Sequence, residues 1–178
     1  FGLGVDALNP VAIERVFQAK GRMTGNPLPL LIDSIDQIER LITEIPDGAA
    51  ELAEQFWPGQ LTLVLPASDA IPTSVTAGSG TVGLRVPDHP IPRSLARMLD
   101  GPITGTSANR SGESPSADPH EVAANLGREL NMVINGQCGG HAAPSTVVDC
   151  TVVPFRILRE GAVTLDALRR CAPDISSR

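Results

Sequence analysis

The residues of this chain best suited to chemistry lie in separate polar clusters. They are Lys20-Gly21-Arg22, Thr81 with Arg85, Thr106-Ser107-Ala108-Asn109-Arg110-Ser111-Gly112, and Ser145-Thr146-Val147-Val148-Asp149 together with Arg159-Glu160-Gly161. Together they offer cations, hydroxyls and amides, the groups that hold phosphate and carboxylate oxygens. The segment from Thr106 to Gly112 is the densest: hydroxyls, an amide and a guanidinium gather around a glycine after the apolar approach Pro102-Ile103-Thr104. A loop leaving a strand can also turn successive backbone N–H groups one way, toward an anion. Neither a Ser-His-Asp nor a Cys-His arrangement is evident, and the Gly-rich stretches match neither GxxxxGK[ST] nor GxGxxG. Catalysis by positioning and charge neutralisation fits this inventory better than a covalent nucleophile.

Each cluster also has a structural reading. Asn109 or Ser111 can cap a helix, and Lys20-Gly21-Arg22 can end one, with glycine stopping the helix and the cations facing its dipole. Ser145 can cap a turn and Arg159 can be an ordinary surface residue. Arg85, set between Leu84 and Val86, favours function, because a charge in an apolar strand is costly to bury without an anionic partner. Thr62, within Leu61-Thr62-Leu63-Val64-Leu65, reads as structural.

The elements that position these clusters follow from periodicity and punctuation. Asn9-Pro10 has the form of an N-cap with proline at the first helical position, and Val11, Ile13, Val16 and Phe17 predict a helix to about Ala19. Leu28-Pro29-Leu30-Leu31-Ile32 predicts a strand that its prolines keep at an edge or an irregular position. Ser34 and Gln37 have capping-box spacing before a helix that carries Ile38, Leu41 and Ile42, and a further helix runs from Asp47 through Phe56. Strands are expected over 61–65 and 81–86, separated by a Ser-, Pro- and Gly-rich loop, with a helix over 90–100 and a strand over 103–106. A helix over 118–127, strands over 132–134, 146–148 and 155–158, and a last helix over 164–170 complete the pattern. The mixture predicts an α/β domain around one twisted sheet, mixed because several connections are too short for helical crossovers.

With 178 residues, 42% of them apolar, the chain is long enough to bury a core as one domain, and no apolar run approaches the roughly 18 residues of a membrane span. The net charge of −6 argues against a wholly basic nucleic-acid binder but leaves room for a local groove of Lys20, Arg22, Arg85 and Arg159. Cys138, Cys150 and Cys171 are odd in number and lack CxxC spacing, which points to a reducing cytoplasm rather than a disulfide framework or zinc site. His89, His120 and His141 lack metal-ligand spacing, so no protein-bound metal is expected. The start at Phe1 has no signal-peptide features and no methionine, and reads as the end of a strand whose preceding residues are missing.

In order along the chain, Phe1-Gly2-Leu3-Gly4, Lys20-Gly21-Arg22 with Asn26-Pro27-Leu28, Pro58-Gly59-Gln60-Leu61-Thr62, Val82-Gly83-Leu84-Arg85-Val86-Pro87, Ser107-Ala108-Asn109-Arg110-Ser111-Gly112, Ser145-Thr146-Val147-Val148-Asp149 and Arg159-Glu160-Gly161 resemble the YrdC-like family of threonylcarbamoyl-AMP synthases. The resemblance implies a single YrdC-like α/β domain over residues 1–178, with a twisted, largely mixed β-sheet flanked by helices and a concave substrate cleft. It implies a nucleotidyltransferase that makes L-threonylcarbamoyl-AMP and pyrophosphate from L-threonine, bicarbonate and ATP. The product serves threonylcarbamoylation of the adenosine beside the tRNA anticodon. Magnesium would accompany ATP, and the implied partners include double-stranded RNA or tRNA and downstream threonylcarbamoyl-transfer proteins.

Carried over to this sequence, the resemblance assigns Lys20, Arg22, Asn26, Thr81, Ser107, Asn109 and Arg159 to ATP, with Lys20 and Arg22 catalytic. It assigns Arg85, Gly105, Ser145 and Leu31 to threonine, with Arg85 pairing the carboxylate. Two departures stand out. The Pro-Thr-x-Thr-type segment usual before the aromatic-Gly-Leu-Gly start is missing, and Leu31 stands where many relatives carry a histidine. The short, single-domain form of the family is the closer likeness. Two competing readings are an RNA-binding module of the same fold without catalysis and a carbamoyl-transfer domain of a hydrogenase-maturation protein. The acidic total and scarce aromatics count against the first, and the lack of flanking zinc-finger or acylphosphatase-like sequence counts against the second.

Overall fold

The computed structural model describes residues 1–21, 25–138 and 143–177. After a two-residue strand β1 (Gly2–Leu3), helix α1 (Pro10–Lys20) starts where Asn9 Oδ1 accepts from the N–H groups of Val11 and Ala12 at 3.1 and 3.3 Å. It stops at Gly21, whose φ of 57° is the left-handed cap that glycine adopts without strain. Strand β2 (Leu30–Leu31) follows, then α2 (Ala49–Phe56), β3 (Leu61–Pro66), the short α3 (Thr73–Thr76), β4 (Thr81–Arg85) and α4 (Pro90–Leu99). The second half contributes β5 (Ile103–Thr104), β6 (Thr106–Ser107), α5 (Pro119–Leu126), β7 (Thr146–Asp149), β8 (Arg156–Arg159), α6 (Leu165–Arg169) and β9 (Ser176–Ser177).

The main sheet has seven strands in the order β5-β2-β4-β3-β7-β8-β9. It is mixed, as expected: β2 with β4, β3 with β7 and β8 with β9 run parallel, and the remaining neighbours run antiparallel. One face is core. Leu30, Leu84, Leu63, Val148 and Ile157 lie across five adjacent strands and are all buried. A separate ribbon pairs β1 with β6, so the chain does not form one sheet only.

Several local expectations change. The segment with Ser34 and Gln37 is a 3-10 helix (Ile35–Arg40) rather than an α-helix. Gln37 Oε1 accepts from the Asp33 N–H at 2.8 Å, but the Ser34 hydroxyl donates to Asp36 and caps nothing. Strand β2 is interior, not at an edge: its prolines precede it, and the Pro29 carbonyl still accepts from the Gly105 N–H at 2.7 Å. The strand expected over 103–106 breaks at Gly105 into β5 and β6, which belong to different sheets. Met132, Val133 and Ile134 form no strand; Met132 is exposed, and the edge beyond β8 is taken by the polar pair Ser176–Ser177. The loop between β3 and β4 carries α3, whose Val75 carbonyl accepts from the Leu28 N–H.

Candidate active site

On the sheet face opposite the core, strand register assembles a transverse row. Leu31 on β2 pairs with Arg85 on β4, Thr62 on β3 pairs with Val147 on β7, and Val147 pairs with Arg159 on β8. The β3–β4 register, continued by one step, sets Thr62 opposite Arg85 and closes the row. A β-bulge between Val147 and Val148 shifts the β7–β8 register, so Arg159 shares the face of Val147 while Ile157 stays in the core. Re-aiming a side chain in this way is what a bulge does.

Within the row the polar contacts are specific. Arg159 donates from Nε and Nη2 to the Ser145 carbonyl at 3.1 and 2.8 Å, and from Nη2 to Ser145 Oγ at 3.0 Å. Ser145 Oγ lies 2.9 Å from Thr62 Oγ1, and both residues are buried. Arg85, half-buried, donates from Nε to the Gly59 carbonyl at 2.7 Å. Burial, and then the nearby charge of Arg159, push Arg85 below its ordinary value, against a smaller opposing effect from Asp88. A guanidinium remains charged under such pressure, so the row brings two like charges near one another, an arrangement that an anion relieves.

A second group adjoins the first. The Lys20 side chain is buried at the end of α1, and its Nζ donates to the carbonyls of Ser107 and Asn109, at 2.9 Å for Asn109. The Ser111 N–H donates to the Lys20 carbonyl at 2.8 Å, which ties the helix end to the loop after β6. The Asn109 amide nitrogen donates to the carbonyls of Arg110 and Glu113 at 2.9 and 2.7 Å, leaving its buried Oδ1 without a partner among the described residues. This differs from the expectation of an amide donating to an oxyanion. The donor side of the carboxamide is thus spent on the loop's own carbonyls, and its acceptor is the atom left over.

Gly105 joins the two groups. A Cβ at this position would stand 2.7 Å from Leu31 Cγ, so only glycine lets the chain pass over Leu31 on its way to Ser107. Thr81 lies four residues before Arg85 on the same strand face, roughly 13 Å away along an extended strand, with its hydroxyl 3.0 Å from that of Ser79. Asn26 is exposed before β2. Arg22 and His141 lie outside the described residues. Thr62 reads as structural from its apolar neighbours, and register sets its buried hydroxyl beside that of Ser145, a juxtaposition with no local signal in the sequence. Cys150 is buried, with its thiol pushed up to about 12 mainly by that burial, as suits a packing residue. No helix among the described residues is long and apolar enough to cross a membrane.

The Sua5/YciO/YrdC family model, described as telomere recombination, matches residues 1–161. The curated threonylcarbamoyl-AMP synthase of Pyrococcus abyssi is 40% identical over 175 residues, covering 98% of this chain and 52% of that protein. The chain thus spans about half the length of this relative. The crystal structure of P. abyssi Sua5 complexed with L-threonine matches with a TM-score of 0.94 at 40% identity, over 99% of this chain and 52% of that one. Escherichia coli YciO matches with a TM-score of 0.81 at 25% identity, over 94% of this chain and 81% of that one. Matched along nearly its whole length by the family model and by close relatives, the chain belongs to the Sua5/YciO/YrdC family.

Proposed function

We propose that this chain forms a single catalytic domain that makes L-threonylcarbamoyl-AMP and pyrophosphate from L-threonine, bicarbonate and ATP. The product supplies the group transferred to the adenosine beside the tRNA anticodon by downstream proteins. The observation that carries this reading is the row on the sheet face opposite the core, in which Arg85 stands across from Thr62, Thr62 meets the Ser145 hydroxyl and Arg159 bonds that same hydroxyl. The name and the threonine complex of the P. abyssi relative support the same reading.

In this account Arg85 pairs with the threonine carboxylate, Ser145 donates to it, and Gly105 and Leu31 form the apolar wall beside it. Threonine's amine and bicarbonate give a carbamate with loss of water, and a carbamate oxygen attacks the α-phosphorus of ATP and displaces pyrophosphate. The carbamate is itself the nucleophile, so the work left to the chain is alignment and charge stabilisation. Lys20 and Arg22 are the catalytic charges beside the phosphates. Asn26, Thr81, Ser107 and Arg159 complete the nucleotide site, and the acceptor Oδ1 of Asn109 suits a ribose hydroxyl. Magnesium would accompany ATP and offset the charge of its phosphates.

The test is pyrophosphate release with each substrate omitted in turn. Release that requires threonine and bicarbonate as well as ATP supports the proposal, and release indifferent to either overturns it.

A further inference from the structure

We propose that Thr62 is a positioning residue for anion recognition: it donates to Ser145 Oγ and so turns the Ser145 proton outward, toward the carboxylate held by Arg85. The inference rests on the reading of this face as the threonine site. Thr62 is buried in a strand that is otherwise apolar, where a hydroxyl is a cost unless it is paired. Its partner is Ser145 Oγ at 2.9 Å, an atom that also receives Arg159 Nη2 at 3.0 Å.

The direction of the second bond is fixed, because a guanidinium only donates. The direction of the first is not fixed by the protein alone. A serine oxygen has two acceptor sites and one proton. If Ser145 donates to Thr62, it has no proton left for a ligand and presents a lone pair to any anion near Arg85. If Thr62 donates, both acceptor sites of Ser145 are filled, by Arg159 and Thr62, and its proton must point away from them. An arriving carboxylate selects the second arrangement, and the two accepted bonds polarise the O–H that meets it.

The Thr62 rotamer is held for this task. Its Cγ2 lies 3.2 Å from where a Cβ on Gly83 would stand, so the glycine on β4 makes room for the methyl. A β-branched side chain with its methyl seated there has little freedom at χ1, and its oxygen stays aimed at Ser145.

The experiment compares Thr62→Val and Thr62→Ser with the wild type for KM of threonine, KM of ATP and melting temperature. Thr62→Val is expected to raise the threonine KM about ten-fold, as for a lost hydrogen bond to a group that binds charge, with the ATP KM unchanged. Thr62→Ser, which keeps the hydroxyl, is expected to recover most of the threonine affinity. A wild-type threonine KM in Thr62→Val overturns the proposal, as do equal damage in the two variants and a parallel rise in both KM values. A wild type whose pyrophosphate release ignores threonine refutes the site reading itself. A threonine-dependent wild type with an indifferent Thr62→Val refutes only the role given to Thr62.

Discussion

Replacing Arg85 with lysine keeps a positive charge on β4 but removes the fork on which the proposed carboxylate site depends. In the wild type, Nε is committed to the Gly59 carbonyl at 2.7 Å, which fixes the guanidinium plane and leaves the terminal nitrogens to meet a carboxylate. A lysine has one nitrogen for both tasks, so it satisfies the carbonyl or the ligand in good geometry, but not both. Losing one charge-assisted hydrogen bond corresponds to about 1.5–3 kcal/mol. That is about a ten- to hundred-fold loss of threonine affinity. Burial and the charge of Arg159, which already lower Arg85, act on the lysine in the same direction and favour its neutral form. Threonine affinity of Arg85→Lys therefore falls further as pH rises, while the wild-type guanidinium stays charged. Calorimetric titration of threonine at several pH values, with ATP affinity measured in parallel, reads these effects. Unchanged threonine affinity, or equal losses for threonine and ATP, would refute the reasoning.

Two further predictions address the frame around the site. Gly105→Ala drives a Cβ to 2.7 Å from Leu31 Cγ and is expected to destabilise the fold by about 1–3 kcal/mol in urea unfolding. Adding Leu31→Ala removes the obstacle and is expected to recover stability, whereas simply additive losses would contradict a contact between the two positions. The Asp33 carboxylate bonds Arg97 at 2.8 and 2.9 Å and lies near Arg93, and the Arg97 hydrogen bond is the main cause that holds it below its ordinary value of 3.8. A carboxyl lowered on folding contributes stability above its unfolded value and loses it as pH falls through the folded one. Asp33→Asn is therefore expected to melt below the wild type at neutral pH, with the gap closing below about pH 4. A gap independent of pH would show that the ion pairs with α4 contribute nothing.

The parts of the fold written in local signals were legible in the sequence. Asn9-Pro10 and Gly21 bracket α1, and the apolar runs at 61–65 and 81–86 became neighbouring strands in the mixed sheet. Elements whose existence depends on a distant partner were not. Ser176–Ser177 is polar and becomes a strand only because β8 offers an edge, while Met132-Val133-Ile134 has strand composition and no partner among the described residues. The clusters of Lys20 with Ser107 and Asn109, and of Ser145 with Arg159, could be named from residue type and the family resemblance, but their geometry needed register. The bulge that turns Arg159 onto the Val147 face has no local signal, and neither does the close approach of Gly105 to Leu31. Asn109 was readable as polar, yet which end of its carboxamide is spent within the loop depends on the carbonyls of Arg110 and Glu113.

The central claim is that the chain joins a threonine carbamate to AMP, and the identity of the product tests it most directly. Incubating the protein with ATP, magnesium, threonine and carbon-13 bicarbonate, followed by mass spectrometry of the adenylate, reads the connectivity. The account predicts an adenylate that contains threonine and one labelled carbon. An adenylate of threonine without the label, or AMP release with no adduct under conditions that preserve one, would contradict it.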